Sequence, residues 1–442
     1  MRNYGIVNHA STHKGGKLLS AYSKRLFDAY IKNLFSELPA IEIYGAKAVG
    51  KTSTAERFSS HNLALDIQEA FEIVQGGLPM LRKLPKPLLI DEWQRYHPVW
   101  DYVRRLVDED TAPGQYLLTG SSLPKDASVH SGAGRIVRLR MRPLSIEERR
   151  LDAPIVGIGQ LLNGEVEQVT GTTDVALPDY IYQILNSGFP AINQLSPRAA
   201  RMQLNGYIDN IIHREFPDRG LMLRKPEILR RWLKALAAAT GSTASYQAIL
   251  KAAASGESAT PAKNTTAGYR DTLDALWITD RVEAWLPTVN DFAVLAKAPK
   301  HYLVDPALSA RLLSVSEDQL LKGAKSVLLG SQRGSLLGRL FESLVAQSFQ
   351  TYCLVNEAEL RHYRSAKGER EIDFIVSRGE SLLAIEVKLG TSVCTEDVSA
   401  IKWLQANYHV QEVIGVVVYA GSYAYTRPDH IHVIPAALIG SN

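Results

Sequence analysis

The feature that most constrains this chain is a glycine-rich segment, YGAKAVGKTSTAERF, which begins at Tyr44. It contains the pattern G-x-x-x-x-G-K-T, with Gly45, Gly50, Lys51 and Thr52 in the fixed positions. The apolar run PAIEIYG before it predicts a strand, and TSTAERFSS after it predicts the start of a helix, which is the context that the pattern requires. Backbone N–H groups of such a loop, together with the helix N-terminus, bind phosphate groups. The segment therefore predicts a nucleotide-binding loop in an α/β domain.

The residue types in this loop indicate separate roles. Lys51 is expected to reach the β- and γ-phosphates of ATP, and the Thr52 hydroxyl is expected to ligate Mg²⁺. Taken alone, the pattern is also compatible with a chance glycine-rich turn. The residues predicted to contact the nucleotide are Gly45, Ala46, Lys47, Ala48, Val49, Gly50, Lys51, Thr52 and Ser53.

Two further polar sites follow apolar runs that are typical of buried strands. In KPLLIDEWQRY, Asp91 and Glu92 come directly after the run at 88–90. At the carboxyl end of a strand, Asp91 is expected to hold Mg²⁺ and Glu92 to orient or deprotonate the attacking water. In QYLLTGSS, either Thr119 or Ser121 lies where a polar side chain would sense the γ-phosphate or the water. A simple exit from the strand explains these two hydroxyls equally well.

The segment GAGRIVRLRMRPLSIEERR has the period-2 pattern of a half-buried strand. Its arginine face fits either an acidic partner, including a second copy of the chain, or a solvated sheet edge. Arg135, ahead of this strand, is the candidate for stabilising transition-state charge on its own or a neighbouring chain's nucleotide. The alternating residues are Val137, Leu139 and Met141 on one face and Arg138, Arg140 and Arg142 on the other.

The order of these segments resembles a widespread group of prokaryotic AAA-type ATPases whose members carry a C-terminal domain of unknown function. The resemblance includes YSKRLFDAYIKNL before the loop and continues at residues 187–216 and 299–313. It therefore spans most of the chain. The resemblance implies ATP binding and ATP hydrolysis, and it leaves the biological output undefined.

The middle of the chain changes from a weakly patterned segment to a helical one. After an ATPase domain at 1–150, residues 151–222 are interpreted as a linker or lid with a helical segment. Helical patterns and a strand-like tail over 223–315 predict a winged-helix order. As a DNA-binding unit it would place a recognition helix in a groove, whereas a scaffold or protein-docking unit is the open alternative. The polar residues at the start of that helix are Lys263, Asn264, Thr265, Thr266 and Arg270.

The C-terminal segment, 325–442, predicts a second α/β domain. The amphipathic helix GSLLGRLFESLVAQSFQTY carries Glu342, and a three-stranded meander follows with Asp373, Glu386 and Lys388. Residues two apart on a strand share a face, so the side chains of Glu386 and Lys388 lie side by side. The carboxylates of Glu342, Asp373 and Glu386 can then hold a divalent cation together. Lys388 can polarise a water or stabilise the phosphate in the transition state. This pattern resembles the PD-(D/E)xK nuclease superfamily, and all four of its positions are present. The alternative is an ordinary surface ion pair between Glu386 and Lys388.

Composition sets outer limits on these interpretations. The chain of 442 residues is 45% hydrophobic and 22% charged, which is ordinary for a globular protein of two or three domains. A net charge of +4 neither supports nor argues against nucleic-acid binding by this protein. The two cysteines, Cys353 and Cys394, have no metal-ligand spacing and fit a reducing compartment. With no apolar leader and no membrane-length apolar run, the sequence predicts a cytoplasmic protein that does not enter a membrane.

The combined prediction is an α/β chain with an AAA-type P-loop domain, a helical, winged-helix middle domain and a restriction-endonuclease-like C-terminal domain. Its predicted function is Mg²⁺-dependent ATP hydrolysis coupled to nucleic acid, with DNA favoured over RNA and the choice left open, and with Mg²⁺ or Mn²⁺ at the second site. The alternative is a nucleotide-switched interaction protein with an inert nuclease-like domain, docking a protein partner or a second copy. A defence or toxin–antitoxin role is a third option that no residue selects.

Overall fold

The N-terminal domain is built on a five-stranded parallel sheet. The computed structural model describes residues 22–123, 133–220, 226–254, 263–287, 294, 297–327, 336–365, 368–409 and 412–442. The strand order is β2-β3-β4-β1-β5, and all neighbours are parallel. The strands are β1 Ala40–Tyr44, β2 His61–Ala64, β3 Leu88–Asp91, β4 Tyr116–Gly120 and β5 Val137–Arg140.

Helices cover both faces of this sheet, which explains why its central strands are apolar along their length. Helix Leu26–Phe35 packs against one face and helix Pro98–Glu109 against the other. The carboxyl ends of β1, β3 and β4 meet at one edge, so the loop after Tyr44 lies beside Asp91 and Thr119. The further helices of this domain are Lys51–Ala55 and Gln68–Gly76, with 3₁₀ turns at Glu56–Phe58, Leu78–Lys83 and Trp93–Arg95.

The second sheet has eight strands in the order β7-β13-β14-β12-β11-β10-β9-β8. Strands β9, β10 and β11 form the antiparallel meander that the sequence predicts. A separate two-stranded sheet pairs β6 with β15. The strands are β6 Val156–Gly157, β7 Thr170–Thr172, β8 Glu283–Trp285, β9 Glu359–Arg364, β10 Glu371–Arg378, β11 Ser381–Lys388, β12 Val413–Tyr419, β13 Tyr423–Thr426, β14 His432–Pro435 and β15 Ile439–Gly440.

The long helix Leu336–Val355 packs its apolar side against β10 and β11, and helix Ser399–Asn407 packs on the opposite face of the sheet. Both cysteines are free, with Cys353 buried in the long helix and Cys394 exposed. The remaining helices are Ile158–Leu162, Leu177–Asn186, Pro190–Asn193, Pro197–Asn210, Phe216–Asp218, Pro226–Ala238, Tyr246–Ala254, Lys263–Ala275, Pro306–Leu312 and Glu317–Val327, with a π turn at Ile211–Glu215 and a 3₁₀ turn at Glu396–Val398.

Residues 151–175 are not the linker that the sequence predicts. They supply β6 and β7, which pair with β15 and β13 at the far end of the chain. At Gly157 an added Cβ would lie 2.1 Å from the carbonyl carbon of Asn442, so the two segments are in close contact. Strands of two or three residues are too short to show a period in the sequence.

The predicted middle unit has three helices followed by a hairpin, but its strand-like tail is not a free wing. Bridges pair Thr279 with Leu303 and Val282 with Lys300 in antiparallel fashion. The first strand of this hairpin continues directly into β8. Strand β8 lies parallel to β9 and forms the edge of the C-terminal sheet. The middle unit is therefore joined to the C-terminal domain through its hairpin, and its winged-helix identity stays a prediction.

Candidate functional site

The glycine-rich loop adopts a conformation that its glycines make possible. Gly45 and Gly50 have φ values of 150° and 100°, a region that residues with a Cβ rarely occupy. A Cβ on Gly45 would lie 2.2 Å from the Met141 carbonyl oxygen. The loop therefore packs directly on the chain that leaves β5, and glycine is required at the first position.

Lys51 lies inside the loop, where its Nζ donates to the carbonyl oxygens of Gly45 at 3.0 Å and Ala46 at 2.9 Å. Burial lowers the pKa of Lys51 to about 8, although the charges of Glu92 and Asp91 oppose that shift. These carbonyl contacts hold the ammonium at the mouth of the loop, in place to meet phosphate oxygens.

The predicted Mg²⁺ ligands lie side by side. Thr52 Oγ1 donates to Asp91 at 2.9 Å from Oδ1 and 3.1 Å from Oδ2. The Thr119 hydroxyl also donates to Asp91 Oδ1. Burial raises the pKa of Asp91, and the two hydroxyl donors counteract it. A hydroxyl beside a carboxylate fits the oxygen ligands that Mg²⁺ takes with nucleotide phosphates.

Glu92 is held by the end of β4 and by its own turn. Ser121 Oγ donates to Glu92 Oε2 at 2.7 Å, and Gln94 Nε2 donates to the same oxygen. The Glu92 backbone N–H donates to Thr119 Oγ1 at 3.2 Å. Thr119 and Ser121 thus each contact one of the two carboxylates, and their contact with a γ-phosphate or water stays a prediction.

A cavity of about 590 Å³ opens beside the loop and includes residues that the sequence patterns did not single out. They come from the segment before β1, from the chain just after β2 and just after β3, and from the helix Pro190–Asn193 with the residue that follows it. Segments far apart in sequence meet here, so local patterns gave no signal. These additional lining residues are Tyr22, Arg25, Asp66, Arg95, Pro190, Ala191 and Gln194.

Arg25 connects the loop to the chain that follows β5. Its Nη1 donates to the Val49 carbonyl oxygen at 2.8 Å and its Nη2 to the Arg142 carbonyl oxygen at 2.7 Å. Its Nε lies 2.8 Å from Glu148 Oε1, and both side chains are about fully buried, at 2% and 1% exposure. Glu148 also accepts from the backbone N–H of Leu26 at 2.9 Å. This buried pair fixes one side of the phosphate loop.

Arg135 does not line the nucleotide cavity. Its Nε lies 2.7 Å from Asp108 Oδ1 at an exposed position, so the structure does not bring it to its own chain's nucleotide site. A role on a neighbouring chain's nucleotide stays a prediction.

The arginines in and just after β5 have acidic partners within the chain. Arg138 pairs with the buried carboxylate of Glu42. Arg140 and Arg142 both pair with Asp280, at 3.0 and 2.6 Å. At Arg140 and Arg142 both open interpretations are therefore wrong, because the middle hairpin, 138 residues downstream of Arg142, covers them, whereas Arg138 is exposed.

The predicted nuclease-like carboxylates converge on a lysine that the sequence analysis missed. Lys300 Nζ lies 3.0 Å from Glu342 Oε1, 2.9 Å from Asp373 Oδ1 and 3.0 Å from Glu371 Oε1. Its side chain is 1% exposed. The Tyr302 hydroxyl also donates to Glu342 Oε1. The helix and the meander thus bring Glu342 and Asp373 together as predicted, around an ammonium group.

The other two predicted residues lie at the edge of this cluster. Lys388 Nζ is 3.2 Å from Glu386 Oε2. Burial and the charge of Asp373 raise the pKa of Glu386 well above its usual range. Burial disfavours ionised Asp373 as well, but the charges of Lys300 and Lys388 hold its pKa below the usual value. Asp373, Glu386 and Lys388 line one open pocket of about 620 Å³.

The cluster in this conformation does not fit a divalent cation. Across the described parts of the chain, no group of three or more His, Cys, Asp or Glu side chains is arranged to hold a metal ion. Glu342 Oε1 and Asp373 Oδ1 already accept from Lys300, and Asp373 Oδ2 accepts from the Val387 N–H. The metal-ligand role of Glu342, Asp373 and Glu386 therefore stays a prediction that requires Lys300 to move.

Family comparisons identify the first domain. Residues 38–149 match a family described as an AAA domain. Over that range the chain is similar to AAA-type domains. Residues 177–319 and 337–439 match two families that are each described as a domain of unknown function. The C-terminal match agrees with the resemblance noted in the sequence, and none of the three descriptions mentions a winged helix or a nuclease.

Two proteins are similar to this chain over nearly its full length, at low identity. The uncharacterized proteins Mb2031c of Mycobacterium bovis and Rv2008c of Mycobacterium tuberculosis are each 21% identical over 440 residues, covering 98% of this chain and 88% of the relative. The Walker-type ATPase PABY2304 of Pyrococcus abyssi is similar over 66% of this chain and 96% of its own, at 13% identity and a TM-score of 0.37. That TM-score is too low to show a common fold. Among the helices that the structure describes, none has the length and apolar character needed to cross a membrane.

Proposed function

We propose that the chain is a Mg²⁺-dependent ATPase. The observation that carries this proposal is the convergence of Lys51, Thr52, Asp91 and Glu92 at one edge of the parallel sheet, beside the cavity of about 590 Å³. Lys51 donates to the β- and γ-phosphate oxygens, and Thr52 and Asp91 hold the cation. Bound Mg²⁺ supplies neutralisation of the charge that develops on the phosphates.

Glu92 takes the role of orienting or deprotonating the attacking water. Its carboxylate is fixed by Ser121 and Gln94, so its free oxygen, Oε1, has a defined direction. Thr119 donates to Asp91 and accepts from the Glu92 N–H, which couples the metal ligand to the base. Removing the base is therefore expected to stop turnover without removing the phosphate contacts.

Steady-state ATP turnover tests this proposal. Lys51→Ala is expected to abolish turnover with the fold intact, as judged by circular dichroism and thermal unfolding. Lys32→Ala, at an exposed position of helix Leu26–Phe35, is the matched control and is expected to keep wild-type turnover. Unchanged turnover in Lys51→Ala would overturn the proposal.

A second candidate function is nucleic-acid processing by the C-terminal domain. The observation that favours it is the shared open pocket of Asp373, Glu386 and Lys388. Cleavage of plasmid and single-stranded DNA with Mg²⁺ or Mn²⁺, with and without ATP, would be lost in Asp373→Ala if this candidate is correct. Because Lys300 fills the cluster, cleavage further requires that Lys300 withdraws.

The DNA-binding role of the helix Lys263–Ala275 is part of this second candidate. Arg270 pairs with Asp271 at 3.1 Å and lies over the ring of Tyr246, with 5.2 Å to the centroid. A phosphate contact would have to compete with Asp271. A salt titration decides: steep loss of DNA affinity with salt supports phosphate contacts, and no binding at low salt supports a nucleotide-switched interaction protein with an inert nuclease-like domain.

A further inference from the structure

Lys300 lies on a hairpin that bridges the two α/β domains. Val282 and Lys300 exchange backbone hydrogen bonds of 3.1 and 2.9 Å, and the Asp280 N–H donates to the Tyr302 carbonyl oxygen at 3.0 Å. One strand of the hairpin therefore carries Asp280, and the other carries Lys300 and Tyr302. These hydrogen bonds connect the two strands directly.

The Asp280 strand is held by the AAA-type domain. Arg142 donates to both oxygens of Asp280, at 2.6 and 3.0 Å, and Arg140 Nη1 lies 3.0 Å from Oδ1. Arg140 Nη2 also donates to the Thr279 carbonyl oxygen at 2.9 Å. The Asp280 side chain is buried, and the side chains of Arg140 and Arg142 are 17% and 10% exposed. The next residue after Arg140, Met141, is the one that packs on Gly45 of the phosphate loop.

The Lys300 strand is held by the C-terminal domain. An ammonium has three N–H donors, and Lys300 Nζ has three carboxylates within 3.0 Å, from Glu342, Glu371 and Asp373. A buried ammonium without such partners would be strongly unfavourable. Equally, buried carboxylates that converge on one point need a cation between them.

We propose that Lys300 takes the place of a divalent cation in this cluster, so that the hairpin locks the C-terminal domain to the AAA-type domain and keeps the cluster free of metal. Lys300 and a metal ion compete for the same oxygens of Glu342 and Asp373. Metal can enter only when the Lys300 strand withdraws, and that strand is tied through Asp280 to Arg140 and Arg142. The lock does not depend on ATP hydrolysis.

Mn²⁺ binding to the nucleotide-free full chain, followed by electron paramagnetic resonance, tests the lock. In the wild type, Mn²⁺ binding is expected to be the same as in Asp373→Asn, because Asp373 is occupied by Lys300. Lys300→Met is expected to gain one Mn²⁺ ion per chain, and the added change Asp373→Asn is expected to remove it. Lys300→Arg keeps a cation and is the matched control, with no gain. Any Mn²⁺ bound at Asp91 is common to all five proteins and cancels in the comparison.

Wild-type Mn²⁺ binding that Asp373→Asn reduces would overturn the proposal, and so would a folded Lys300→Met that gains no site. If Lys300→Met does not fold, Lys300→Gln, which also removes the charge, takes its place with the same expected gain and the same overturning result. ATP turnover is measured on the same wild-type sample, so a failure of the ATPase proposal is seen separately.

Discussion

The Thr52 hydroxyl and the Asp91 carboxylate are hydrogen-bonded at 2.9 Å although 39 residues separate them in the chain. Thr52 lies in the first turn of helix Lys51–Ala55, and Asp91 is the last residue of β3. The parallel sheet brings these two ends together, and with them the two side-chain types that bind Mg²⁺ beside phosphate.

Asp91→Asn is expected to weaken the Mg²⁺ dependence of ATP turnover, because an amide oxygen is a poorer ligand than a carboxylate. Changes in outer-shell partners alone cost about 10–100-fold in metal affinity, so we expect the Mg²⁺ concentration for half-maximal turnover to rise at least about tenfold. Glu109→Gln, at the exposed end of helix Pro98–Glu109, should leave it unchanged. An unaltered Mg²⁺ dependence in Asp91→Asn would exclude Asp91 as a ligand.

ATP affinity is expected to fall as pH rises above about 8. Burial lowers the pKa of Lys51 to about 8 in the free chain, and phosphate oxygens favour the ammonium and raise the pKa when ATP binds. Binding therefore takes up a proton above that pH, and affinity falls by up to about tenfold per pH unit until the bound-state pKa is reached. Isothermal titration between about pH 7 and 9.5 checks this.

Lys51→Arg is the control for that pH dependence, because a guanidinium stays charged over this range. If it binds ATP, its affinity should not change with pH. The same decline in wild type and Lys51→Arg would mean that another group causes it.

Arg25→Met is expected to destabilise the chain by about 3–5 kcal/mol, since it leaves the buried Glu148 carboxylate without its charge partner. The double variant Arg25→Met/Glu148→Gln should recover part of that loss. Urea unfolding of wild type, both single variants and the double variant measures the coupling. Arg230→Ala, which removes an exposed pair with Asp209, is expected to change stability little.

Asp280→Asn is expected to cost about 3–5 kcal/mol as well, because Arg140 and Arg142 would then be buried without an anion. The two arginines hold the pKa of Asp280 below its usual value against the effect of burial. The stabilisation of the fold by ionised Asp280 is therefore fully present above the pKa of an aspartate in the unfolded chain, about 3.9. It is lost as pH falls through the lower pKa of Asp280 in the folded chain. Asp271→Asn, at an exposed site, is the control. Equal unfolding curves for the two variants would contradict the buried cluster.

The sequence predicts what local patterns encode. The loop around Lys51, the strand before Asp91 and the meander from β9 to β11 each carry an apolar period or a fixed spacing, so their positions agree with the structure. The placement of the phosphate loop and Asp91 at one edge of the first sheet follows from parallel pairing alone. Hence the sequence alone predicts which residues meet at the nucleotide site.

Pairings between distant segments could not be read in this way. Arg25 meets Glu148 across 123 residues, and Lys300 meets Asp373 across 73. Nothing in PKHYLVDP marks Lys300 as buried, because a lysine beside a proline is ordinary at a surface. The short strand β7 was likewise missed, since three residues show no period and its partner β13 lies near the other end of the chain.

The most direct measurement compares ATP binding and ATP turnover in wild type and Glu92→Gln. The amide keeps the shape and the contact with Ser121 but cannot accept the proton of the attacking water. We predict ATP·Mg²⁺ affinity close to wild type and turnover lower by about 10²–10⁴-fold, the usual contribution of a general base. Wild-type turnover in Glu92→Gln would contradict the assignment of this site as an ATPase centre that uses Glu92.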